Sequence, residues 1–143
     1  MRRHLIAMIA IATFTGSSQS IAATATASFN AHVKLVAACT TSATILDFGT
    51  LPGLILGTET TTSTLTVTCT KGAAYTLALA AGAGYMTGVT TPADKVNYTA
   101  TLATSSSTGT GSAQTFTING ALTAQATPSA QDYQEARTVT VTY

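Results

Sequence analysis

Apolar and polar residues alternate one by one along most of this chain, and the helical spacing of three and four is missing. The longest run is the first. Ala25, Ala27, Phe29, Ala31, Val33, Leu35 and Ala37 share one parity, and Thr26, Ser28, Asn30, His32 and Lys34 share the other until Val36 breaks the pattern. A period of two predicts a strand with one dry and one wet face. Extended, residues 25–35 would reach roughly 35 Å. A strand of ordinary length has about 5–6 residues, so this one is long enough for two roles.

Further along, residues 43–48 predict a short strand, and 51–57, with Pro52, Gly53 and Gly57, a turn or an edge. Leu65, Val67 and Cys69 alternate with Thr64, Thr66, Thr68 and Thr70. Cys39 shares its parity with Leu35 and Ala37, so both cysteines are expected to face inward. Lys71-Gly72 signals a turn, after which residues 75–80 read as a hairpin partner with Tyr75, Leu77 and Leu79 on one face. Residues 81–94 and 104–112 read as loops, separated by a strand carrying Val96, Tyr98, Ala100 and Leu102. Phe116 and Ile118 mark another strand, which Asn119-Gly120 either turns or bulges before Leu122 and Ala124. A turn at 127–131 precedes the last alternation, Val139, Val141 and Tyr143. About seven or eight short strands without a substantial helix predict an all-β domain, most simply a β-sandwich.

The beginning of the chain follows a different grammar. Basic Met1-Arg2-Arg3-His4, an apolar stretch from Leu5 to Ala12, a small polar stretch to Ser20, and small residues at Ser20 and Ala22 make the three-part pattern of a secretory signal peptide. Cleavage is expected after Ala22, with Ala23 and Ala25 as alternatives. The apolar stretch falls short of the about 20 residues that cross a bilayer. The expected organisation is therefore a signal peptide at 1–22, an N-terminal strand segment at 23–37 and a domain at 38–143.

Export changes the reading of the two cysteines, since an oxidising compartment favours a Cys39–Cys69 disulfide over two separate thiols. Beyond residue 22 the chain carries Lys34, Lys71, Lys95 and Arg137 against Asp47, Glu59, Asp94, Asp132 and Glu135, a net charge of −1 with no clustering. No basic footprint for nucleic acid is present. Thr is abundant, with 32 residues, and its β-branched side chain favours strands.

Candidate chemistry is sparse. His32 is the one histidine beyond the signal segment and sits on the wet side of the first strand, where it reads as solvated. Two cysteines without a nearby histidine make a poor metal site. Asp132 and Glu135 read as solvated residues near a turn, and Asp94-Lys95 as a local charge pair. Gly82-Ala83-Gly84 opens no helix, so it predicts no phosphate site. The five tyrosines read as packing residues. No catalytic constellation, metal, cofactor or small-molecule substrate is expected.

A long strand with one Lys and no Pro does not protect itself against edge pairing. It suits β-augmentation, in which backbone hydrogen bonds supply affinity and alternate side chains fill pockets. Cys39-Thr40, Leu46-Asp47-Phe48-Gly49, Leu65-Thr66-Val67-Thr68-Cys69-Thr70 and Tyr75-Thr76-Leu77-Ala78-Leu79, in this order, resemble the spore coat protein U domain, which is also the pilin of archaic (Csu-type) chaperone–usher pili. Tyr85-Met86-Thr87-Gly88 is similar to the family's Met-containing loop. The stretches 114–124, around Gly120, and 132–143 are similar to its late strands. The chain departs from the family at Asn97-Tyr98-Thr99, where a Tyr-Asn-aromatic strand is usual, and at Gln131-Asp132, where a Gly usually precedes the late Tyr.

The resemblance implies an immunoglobulin-like sandwich that lacks its last strand. A periplasmic chaperone would lend one, and an outer-membrane usher would exchange it for the N-terminal strand of an identical or related subunit. The donated face would be Phe29, Ala31, Val33 and Leu35, with Ala27, and its burial would contribute on the order of 6–12 kcal/mol gross. Val139, Val141 and Tyr143 would form the chaperone-contact strand, with the terminal carboxylate as anchor. The small Ala31 implies a shallow pocket where exchange begins. The implied product is a surface fibre serving attachment or biofilm formation. A non-fimbrial coat or matrix protein of the same domain type is the alternative, followed by a surface adhesin and, last, a hydrolase.

Overall fold

The computed structural model describes residues 22–143 except Leu54 and Thr127. The predicted signal peptide therefore lies almost wholly outside the described residues. These fall into two units, one ending at Lys34 and one spanning Leu35–Tyr143. In the first, residues 22–34 are exposed and belong to no strand ladder. The expected strand over 25–35 is thus unpaired. An amphipathic strand exists as part of a ladder, and in the single chain this one has no partner.

The second unit is all-β, with no helix among the described residues. Its strands are β1 (Cys39–Ala43), β2 (Glu59–Cys69), β3 (Ala74–Leu79), β4 (Tyr85–Gly88), β5 (Lys95–Leu102), β6 (Ser106–Thr108), β7 (Ala113–Leu122), β8 (Tyr133–Gln134) and β9 (Val139–Thr142). They form a six-stranded sheet, β1-β2-β7-β5-β4-β8, and a three-stranded sheet, β6-β3-β9, with every pair antiparallel.

The inner faces of the two sheets meet in a core built from the predicted alternating positions. Leu65, Val67 and Cys69 of β2, Tyr75 and Leu77 of β3 and Ile118 of β7 are buried together, with Leu79, Val139 and Val141 packed against them. Tyr75 meets Phe116 edge-on and donates its hydroxyl to Gln114 Oε1 at 3.1 Å, which settles the one polar atom it carries inward. A second cluster, Val96, Tyr98 and Leu122, is covered by Leu46, Phe48, Leu51 and Ile55 from the β1–β2 connection.

Four expectations are corrected by the ladder. The turn at Lys71-Gly72 is present, with Gly72 at φ 83°, yet β3 pairs with β6 and β9 rather than back onto β2. The predicted loops contain β4 and β6. The predicted strand at 43–48 ends as a ladder at Ala43. Beyond it, Asp47 accepts the Gly49 N–H at 2.7 Å and turns the chain so that Leu46 and Phe48 cap the sheet. Asn119-Gly120 neither turns nor bulges. Gly120 lies inside β7 because a Cβ there would sit 2.8 Å from Leu46 Cδ2 and 3.0 Å from Phe48 Cζ.

Candidate functional site

Four strands lie at sheet edges, β1 and β8 in the large sheet and β6 and β9 in the small one, and of these β1 and β9 carry the hydrophobic positions that bear on a candidate site. Antiparallel ladders alternate hydrogen-bonded and non-hydrogen-bonded pairs, so a single identified bond fixes which groups face the free side. Along β9 the Ala80 N–H donates to the Thr138 carbonyl, which makes 78/140 and 76/142 the hydrogen-bonded pairs. The backbone N–H and C=O groups of Val139 and Val141 therefore point to the free edge, while their side chains point into the core. On β1, the bonds Thr70 N to Ala38 O and Thr44 N to Thr64 O turn the backbone groups of Cys39, Thr41 and Ala43 outward in the same way. Thr41 and Ala43 lie opposite core residues Val67 and Leu65 yet are exposed. The inner face of β1 is thus open to solvent at these two positions.

Between the sheets runs a groove of about 1330 Å³. One wall is the 41–53 stretch and the other the 128–139 stretch. Leu65, Val96, Ala100, Ile118 and Leu122 of the large sheet lie at its base, with Leu79 from β3. The Cys39–Cys69 disulfide, across directly opposed residues with Cα atoms 4.1 Å apart, ties β1 to β2 and holds that edge in place.

A hydrogen-bonded polar cluster sits within this groove. The Tyr98 hydroxyl donates to Glu135 Oε2, the Ala83 N–H donates to Glu135 Oε1 at 2.6 Å, and Arg137 Nη2 donates to the Ala80 carbonyl. Burial and the neighbouring carboxylate raise the Tyr98 pKa, partly opposed by Arg137, so the hydroxyl stays protonated and a donor. Burial pushes Glu135 upward, but the bonds from Tyr98 and Ala83 and the nearby guanidinium outweigh it and hold the carboxyl below its usual range. The expectation of a solvated Glu135 is thus corrected. The signal was available in the parity of Tyr133, Glu135, Arg137, Val139 and Val141, all partly buried.

Other predicted residues fall as follows. Cys39 and Cys69 are joined, as expected. Ala27, Phe29, Ala31, Val33 and Leu35 are exposed, Phe29 at 90% and Leu35 at 82% of their full surface. Val139 and Val141 are half-buried beside the groove, and Tyr143 is exposed. His32 is exposed. Asp94 is no partner of Lys95. It accepts from Ser129 and from Gln131 Nε2 (3.3 Å), while Lys95 Nζ lies 4.0 Å over the Tyr85 ring. Among the described residues no three His, Cys, Asp or Glu side chains gather as a metal site would require.

The profile of the Spore Coat Protein U domain matches residues 25–98, just over half of the 143 residues. The chain belongs to the Spore Coat Protein U domain family. No curated protein matches the sequence. Spore Coat Protein U domains are structural domains of pilus- and coat-type surface proteins rather than enzymes. The match begins at Ala25 and ends at Tyr98, so it takes in the exposed N-terminal segment, β1 to β4 and the first half of β5.

Proposed function

We propose that this chain is the structural subunit of an extracellular fibre of the archaic chaperone–usher type, in which the N-terminal segment of one copy completes the sandwich of the next. The observation that carries this reading is the pairing of opposites within one sequence. The domain has an apolar groove flanked by unpaired edges at β1 and β9. Its own residues 25–37 alternate apolar and polar side chains, stand exposed and belong to no ladder. A strand laid along β9 would satisfy the outward backbone groups of Val139 and Val141 and bury Phe29, Val33 and Leu35.

The arrangement β1-β2-β7-β5 against β3-β9 supports the reading of an immunoglobulin-like sandwich that would take one more strand beside β9. A periplasmic chaperone would hold the groove until an outer-membrane usher exchanges its strand for the N-terminal strand of the next copy. Export through the periplasm by the segment 1–22 and attachment or biofilm formation at the cell surface belong to the same proposal. Co-expression with a chaperone and usher, followed by electron microscopy of the cell surface, tests it. Thin fibres that react with antibody to this chain are expected. A smooth secreted layer carrying the same antigen would instead identify a coat or matrix protein.

A further inference from the structure

The inward stripe of the last stretch reads Tyr133, Glu135, Arg137, Val139, Val141. Two charged side chains therefore interrupt a stripe that is otherwise aromatic and aliphatic. Along the stripe Tyr133 precedes the two and Val139 follows them, and Leu79, Met86 and Val96 line the same groove. The pair is held from several elements at once: Tyr98 on β5 and Ala83 fix Glu135, and Ala80 fixes Arg137. It also rests against the backbone of Gly82, where a Cβ would lie 2.8 Å from both Arg137 Nε and Glu135 Oε1. Arg137 Nε is buried without a hydrogen-bond partner. Buried polar atoms are normally paired, so a charged side chain kept here at that cost calls for a reason.

The size pattern of the N-terminal segment supplies one. Its dry face alternates Phe29, Ala31, Val33, Leu35, with one small residue between two large ones. Same-face residues of a strand are spaced by about 6.8 Å, the same repeat as the stripe on the groove wall. We propose that Glu135, Arg137 and Tyr98 set the register of an incoming strand from a second copy, by leaving room at the level of Arg137 for a side chain no larger than that of Ala31, the one small residue between Phe29 and Val33. Phe29 and Val33 then enter the apolar stretches on either side. Because Ala31 is flanked by large residues on both sides, this holds whichever way the strand runs. A slip by two residues would drive Phe29 or Val33 onto the guanidinium, which penalises wrong registers rather than strengthening the right one.

The inference rests on strand donation, and the test separates the two. Assembly of the full chain into denaturant-resistant multimers is timed for the wild type and for Phe29→Ser, Ala31→Leu, Arg137→Ala and Ala31→Leu/Arg137→Ala, each checked for the native disulfide and β-rich spectrum. Ala31→Leu is expected to assemble at least about tenfold more slowly, since overpacking such a site costs enough for that factor. Adding Arg137→Ala is expected to recover most of the loss. Should Arg137→Ala fail to fold, Glu135→Ala with Ala31→Leu makes the same comparison from the other half of the pair. Wild-type assembly by Ala31→Leu, or no recovery in the double variant, overturns the register proposal. Wild-type assembly by Phe29→Ser would overturn strand donation itself.

Discussion

A chain lacking residues 24–36 is expected to fold, form the Cys39–Cys69 bridge, bind a chaperone and remain monomeric where the full chain polymerises. The deleted segment contributes nothing to the core. Its residues are exposed and outside every ladder, while the buried clusters draw only on residues from Cys39 onward. What is lost is the partner for the next copy. The removed dry face accounts for an interaction on the order of 6–12 kcal/mol gross, far more than the spare affinity of an ordinary assembly contact. Light scattering on chromatographed protein measures the outcome. Multimers of normal length from the truncated chain would show that the segment is dispensable.

Breaking the disulfide is expected to be the most damaging change within the domain. Replacing Cys39 and Cys69 by Ser reopens a loop with a sequence separation of 30. In the chain-entropy picture such a loop is worth about 3–4 kcal/mol. That is a large share of the roughly 5–15 kcal/mol by which domains are stable. The bridge lies at one end of β1, an edge strand with exposed inner positions at Thr41 and Ala43, so its loss also frees one side of the groove. Urea unfolding of the double variant should show an unfolding free energy lower by that amount, and assembly should fail at temperatures the native chain tolerates. An unfolding free energy within about 0.5 kcal/mol of wild type, the range of an ordinary surface substitution, would assign the bridge no structural weight.

Much of this architecture is legible in the sequence, because burial enforces alternation. β2, β3, β5 and β9 announce themselves through Leu65, Val67 and Cys69, through Tyr75, Leu77 and Leu79, through Val96 and Tyr98, and through Val139 and Val141. The same parity points both cysteines inward. Elements without a one-by-one alternation of apolar and polar residues are hidden. β4 lies among Gly and Thr residues, and β6 is Ser106–Thr108 within a Ser/Thr/Gly run; backbone pairing needs no particular side chain there. Nor does a turn signal tell which sheet the next strand joins. Lys71-Gly72 bends the chain, and β3 then crosses to the small sheet.

Gly120 shows a different limit. Next to Asn119 it has the look of a turn, and its real constraint is the approach of Leu46 and Phe48 from more than seventy residues away. The groove was legible only through resemblance and through an N-terminal strand too long for one role. Its polar pair was not, because Glu135 and Arg137 acquire their partners from Tyr98, Ala83 and Ala80, none of them local in sequence.

Strand donation makes one residue-level claim that needs no assumption about chaperone, usher or fibre shape. The amides of Val139 and Val141 face an empty edge in the single chain and should face a strand in the assembly. Hydrogen exchange followed by mass spectrometry, on isolated and assembled chains, reads this directly. The peptide covering residues 138–143 is expected to exchange rapidly in the isolated chain and to become protected in the assembly, as does the segment 27–36. If both segments exchange equally fast in the two states, the copies are held together by some other surface and the account is wrong.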